Sequence, residues 1–146
     1  MPDIIPFTTP VSVQRVTELP IASEWAWDFD SYEFARNNTG QMYKVYENEA
    51  LKVWIWKLFK TWQEHEIIHT PRYGSDLWSL IGKGYSKGFT EAEARRIARE
   101  TLETNLGSYI KSIGSIDVQL VRGTLKLTIP ITTIYDEREE VVKIAI

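Results

Sequence analysis

His65-Glu66-Ile67-Ile68-His69 matches H-E-x-x-H letter for letter. In that signature two imidazoles hold a zinc ion and the glutamate acts as general base on a metal-bound water. The chemistry requires a helix, where residues four apart lie roughly 6 Å from each other along the axis and on one face. On a strand the two rings still share a face but stand about 13 Å apart, too far to grip one ion. An apolar helical stripe upstream continues in phase through His65 and His69, and Glu91 or Glu93 lies at a suitable distance downstream for a third ligand. Against this, Pro71 disfavours helix at Thr70, Ile67 and Ile68 favour strand, and no G-x-x-H follows the second histidine. Both readings stand on these residues alone.

Other chemistries find less support. Glycoside hydrolysis needs a general acid and a second carboxylate facing one cleft. Most of the 20 acidic residues read as solvated charges, among them Glu100, Glu103 and the run from Asp136 to Glu140, and none is set apart by an apolar surrounding. Gly82, Gly84 and Gly88, with Lys83 and Lys87 between them, lack the spacing of a phosphate loop and read as a flexible connector. The absence of cysteine excludes disulfides, thiol catalysis and cysteine-based zinc sites. Lysines and arginines are dispersed among carboxylates at a formal charge of −3, which leaves no basic stripe for nucleic acid. The group Arg95, Arg96 and Arg99 reads as a solvated helix face. No apolar run approaches membrane-spanning length and the first residues lack the parts of a signal peptide, so synthesis and assembly are expected in the cytoplasm.

The elements that must position these residues centre on Glu49 to Gly82, which holds four of the six tryptophans. Leu51, Trp54, Ile55, Leu58, Phe59 and Trp62 recur at the spacing of one broad apolar helical face, with Asn48 placed to cap the helix. Val53 and Trp56 fall outside that face, so Trp56 belongs either to a wide core stripe or to an interface. Tyr73-Gly74-Ser75-Asp76-Leu77 reads as a backbone turn: glycine permits positive φ, and Ser75 or Asp76 caps a short helix carrying Leu77, Trp78, Leu80 and Ile81.

Upstream, Pro2, Pro6, Pro10 and Pro20 make residues 1–23 an extended arm. A strand from Glu24 to Phe29, a turn at Asn37-Asn38-Thr39-Gly40 and a partner strand from Met42 to Tyr46 follow. Downstream, Thr90 to Leu106 reads as a helix with a Thr90/Glu93 capping box and a buried stripe of Ala94, Ile97, Ala98, Leu102 and Leu106. Ile116 to Leu120 and Leu125 to Ile131 alternate as two strands around a tight turn at Arg122-Gly123, with Pro130 implying an edge or a bulge. A turn near Asp136 to Arg138 leads into a last strand, Val141 to Ile146, whose outer edge is expected to be free for strand addition.

The stretch Thr61 to Leu80, preceded by the Trp54-Ile55-Trp56 helix and containing the Tyr73-Gly74-Ser75-Asp76-Leu77 turn, resembles the baseplate sheath-initiator family of contractile phage tails, in the branch found in defective prophages and phage-tail-like bacteriocins. The resemblance covers roughly residues 24–146 and implies that Glu64 to Thr70 runs as a strand into the turn, which makes the H-E-x-x-H string accidental. It further implies a place at the end of the tail tube, contacts with tube or hub proteins and wedge subunits, and sheet edges offered to the first sheath ring, in several copies around a six-fold particle. One departure matters: the Glu-Pro-Arg that many members carry after the third helix is replaced by Gly107-Ser108-Tyr109, so the wedge contact attributed to it does not carry over.

The expectation is therefore an α+β fold, about three helices on a mainly antiparallel sheet, with an arm of residues 1–23 and one domain from 24 to 146. The expected role is a non-enzymatic baseplate component without cofactor or metal, the alternatives being a lysozyme-like peptidoglycan hydrolase and a zinc peptidase using His65-Glu66-Ile67-Ile68-His69. The protein-binding residues are expected to be Trp56, Val142, Ile144 and Ile146. Purified protein should carry no stoichiometric zinc and keep its fold on His65→Ala; one equivalent of zinc lost with either histidine would revive the peptidase.

Overall fold

In the computed structural model, residues 19–62 and 73–146 are described. The H-E-x-x-H string, the strand expected across it and most of the extended arm lie outside them.

The central helix, α1 (Glu47–Lys60), buries Ala50, Leu51, Val53, Ile55, Leu58 and Phe59. Val53 therefore belongs to the core stripe, while Trp54 is only half-buried. Each fully buried large side chain contributes roughly 1.5–3 kcal/mol of transfer free energy, so this face anchors the fold. Asn48 does not cap the helix. It sits inside the first turn, the N-cap position is Tyr46 without a side-chain bond, and the Asn48 side-chain amide oxygen accepts from the Thr133 hydroxyl.

Among the described residues, two small two-stranded sheets precede α1. Strand β1 (Ser23–Trp25) pairs with β4 (Lys44–Tyr46), and β2 (Trp27–Asp28) pairs with β3 (Glu33–Phe34). The strand expected from Glu24 to Phe29 is thus split at Ala26, whose N–H donates to the Tyr43 carbonyl (2.8 Å). The Asn37 turn forms as its sequence dictates, with the side-chain oxygen accepting from the Thr39 and Gln41 N–H groups, both at 3.0 Å.

After α1 a single 3-10 turn covers Leu77–Leu80, and α2 runs over Lys87–Leu106. The architecture is α+β as expected, but with two α-helices among the described residues rather than about three: the short element Leu77–Leu80 closes as 3-10. Helix α2 begins earlier than its capping box predicts. Ser86 is the N-cap, accepting from the Phe89 N–H at 3.2 Å, so Thr90 is buried within the helix and Glu93 turns instead to Arg96.

The remaining chain forms a four-stranded antiparallel sheet of β5 (Ile110–Ile113), β6 (Asp117–Val121), β7 (Thr124–Thr133) and β8 (Asp136–Ala145). Strand β7 is central. Along one side it pairs with β8 over nearly its whole length; along the other it pairs with β6 through Thr128 and with β5 from Ile131. Arg122 and Gly123 both have positive φ (51° and 77°), the pattern of a two-residue hairpin whose twist matches its strands. The last hairpin turns at Ile134-Tyr135, so the charged run from Asp136 lies in β8 and not in a turn.

Pro130 is on the central strand, neither at a sheet edge nor in a bulge. It is tolerated because its carbonyl accepts from Gly114 N–H (2.8 Å), which shows that its missing donor points to the junction where β5 ends and β6 begins. Gly114 fills that junction closely: a Cβ there would stand 2.8 Å from Pro130 Cγ. The inward face of the sheet, including Val118, Leu125, Leu127, Ile129, Ile131, Val142 and Ile144, meets Ile55, Leu58, Phe59, Leu77, Ala98 and Leu102 in one core.

Candidate functional site

The turn Tyr73-Gly74-Ser75-Asp76-Leu77 closes the end of α1. Helix C-termini leave carbonyls without intrahelical partners. Ser75, fully buried, supplies two donors to them: its hydroxyl bonds the Phe59 carbonyl (3.3 Å) and its N–H bonds the Thr61 carbonyl (2.9 Å). It therefore serves the preceding helix and does not cap the following one; Asp76 occupies the N-cap position of the 3-10 turn without a side-chain bond. Gly74 is buried with φ 107°, a conformation closed to β-branched residues. Gly74→Val is expected to lower stability by roughly 1–3 kcal/mol in a thermal melt, and an unchanged melting temperature would show that the turn tolerates a side chain.

Trp56 is half-buried and meets an aromatic cluster from the β2–β3 hairpin. Its ring centroid lies 5.2 Å from Trp27, 6.3 Å from Phe29 and 6.4 Å from Tyr32, and Trp27 meets Phe34 edge-on at 5.2 Å. Phe29, Tyr32 and Phe34 remain exposed. Lys60 stands over the Trp56 ring at 5.7 Å while its ammonium donates to the Ala145 carbonyl at 2.5 Å, and burial pushes that ammonium below its ordinary pKa. One residue on from Trp56, Lys57 bonds Glu24 at 2.6 Å. Burial by itself would raise the Glu24 carboxyl, but the hydrogen bonds from Lys57 and the Trp25 N–H outweigh it and hold the group below its usual range.

The three residues expected on the docking strand are inward-facing: Val142 and Ile144 are buried and Ile146 is half-buried against the core. Leu125 and Ile146 exchange both backbone bonds at 2.8 Å. By the alternation of an antiparallel ladder, the N–H and C=O groups of Val142 and Ile144 also point at β7, and those of Val141, Lys143 and Ala145 point away from it.

The two outer edges of the sheet are treated differently. On the β5–β6 side, three α2 residues at i, i+4 and i+8 bond the outward backbone groups. Glu91 accepts from Leu120 N–H (3.4 Å), Arg95 donates to the Ile116 carbonyl (3.1 Å), and Arg99 donates to the carbonyls of Ile113 (3.4 Å) and Gly114 (3.0 Å). All three arginines are exposed, as expected of a solvated face, but Arg95 and Arg99 also bond the sheet edge while Arg96 is held between Glu93 and Glu100. On the β8 side, among the described residues, Lys60 at the Ala145 carbonyl is the sole side-chain bond to the outward row.

Sequence reasoning missed this edge seal and the β2–β3 cluster. Glu91, Arg95 and Arg99 do stand at helical spacing, but what they bond is set by the sheet. Among the described residues no group of three metal-ligating side chains occurs, and both histidines lie outside them.

A buried turn that closes a helix end, an exposed aromatic hairpin and a four-stranded sheet flanked by two helices define a small α+β domain. The chain belongs to the sheath-initiator family of contractile injection systems, whose model matches residues 23–137. No curated protein matches it. Membership makes it a structural component of a phage-tail-like particle, working with sheath and baseplate components.

Proposed function

We propose that the chain sits at the baseplate end of the tail tube, in several copies around the particle, where it binds wedge subunits and starts the first sheath ring by accepting an arm of a sheath subunit as an added strand on the outer edge of β8. The observation that carries this reading is a difference between the two edges: three α2 side chains bond the Leu120 N–H and the Ile113, Gly114 and Ile116 carbonyls of the β5–β6 edge, whereas α1, which flanks β8, bonds its outward row at the Ala145 carbonyl through Lys60 and leaves the N–H groups of Val141, Lys143 and Ala145 without a side-chain partner among the described residues. An unpaired row of this kind is a template for strand addition. The test is recruitment of the sheath subunit to an immobilised variant with proline at Lys143. Recruitment at wild-type affinity by a folded variant would remove β8 as the docking edge and leave the arm of residues 1–23 as the next candidate.

A further inference from the structure

Between the β2–β3 hairpin and the solvent face of the sheet lies a cleft of about 450 Å³, walled by Phe29, Tyr32 and Trp56 on one side and floored by Lys126, Lys143 and Ala145 on the other. Its floor spans β6, β7 and β8 and ends on the strand whose outer edge is proposed to accept a partner. Resting on that reading, we infer that the added strand is selected by its outward side chains, which carry an apolar residue, an acidic residue and a bulky apolar residue at alternate positions, facing Val141, Lys143 and Ala145 in turn.

The register across the sheet dictates this pattern. Residues directly opposite on neighbouring strands hold their Cβ atoms about 4.5–5.5 Å apart, so each row of the solvent face extends onto any strand added at its end. One row reads Asp117, Thr128, Lys143. It begins with a carboxylate and ends on an ammonium that, among the described residues, is in no ion pair, so the next position favours a carboxylate. The following row reads Gln119, Lys126, Ala145. Ala145 leaves its place on the face small beside the cleft lined by Phe29, Tyr32 and Trp56, and a bulky apolar side chain opposite it enters that cleft as a ladder bond replaces the Lys60 bond to the Ala145 carbonyl. In the third row Pro130 is followed by Val141, which is 47% exposed, and an apolar side chain opposite covers it.

The experiment uses a synthetic peptide with Val, Glu and Phe at alternate positions and Thr between them, titrated calorimetrically into the full chain. Replacing Glu by Lys in the peptide should weaken binding about tenfold, and Lys143→Glu should reverse that preference. Replacing Phe by Ala should weaken binding to the wild-type chain but not to Trp56→Ala. If Lys143→Glu binds both peptides alike while Lys143→Pro binds neither, the edge stands and the side-chain pattern is wrong. Should Lys143→Pro, folded by circular dichroism, bind the Glu peptide as well as wild type, the edge and the pattern fail together.

Discussion

Phe59→Ala should cost about 3–5 kcal/mol and lower the melting temperature by roughly 10 °C. Phe59 is fully buried at the place where α1, the 3-10 turn and the sheet meet, and its own carbonyl is the acceptor for the Ser75 hydroxyl. Truncation removes the transfer free energy of the ring and leaves a cavity between rigid elements that cannot close around it. Because domains of this size are stable by only about 5–15 kcal/mol, the loss is a large share of the total. Phe89 provides the comparison: it is 50% exposed on the first turn of α2 and packs chiefly on Tyr85, so Phe89→Ala should shift the melt by much less. Equal shifts for the two variants would show that α1 is not the centre of the core.

Lys143→Pro should leave the fold intact and abolish recruitment of a sheath arm. Proline fixes φ near −65°, which a strand accommodates, and removes one backbone donor. At position 143 that donor points away from β7, so no bond inside the sheet is lost. The same substitution at Ile144 would delete a bond to β7 and disturb a buried side chain, confusing loss of docking with loss of fold. Lys143→Ala separates charge from pairing, since it keeps the donor and removes only the ammonium. Melting curves within a few degrees of wild type, with recruitment lost in the proline variant and only weakened in the alanine variant, are the expected outcome. Recruitment lost equally in both would assign the effect to the charge.

Those register details mark the boundary of what the amino-acid sequence discloses. The long helices and the β6–β7 hairpin are legible because a 3.6-residue or two-residue apolar period, and the Arg122-Gly123 pair, act locally. The Gly74 turn is legible for the same reason. The partner of Ser75 is not: capping a following helix and sealing a preceding one are equally local options, and tertiary contact with Phe59 decides. Thr90 and Glu93 fit a capping box, yet Ser86 begins the helix and sends Thr90 into the core. Strand β5 is short, carries exposed Lys111 and Ser112, and gains its pairing only from β7. Pro130 looks like an edge residue until the end-to-end placement of β5 and β6 is known. For Ser75, β5 and Pro130 the missing information is a distant backbone group; for α2 it is which of two local caps is taken.

The seal laid by Glu91, Arg95 and Arg99 along one flank of the sheet has a consequence for assembly. A protein with two receptive flanks is divalent, and identical copies can join head to tail without closing, as open heterologous contacts do. With that flank bonded to its own helix, the strand addition proposed at β8 would make the chain monovalent toward an incoming strand, and copies of the chain would not continue a stack through the same contact.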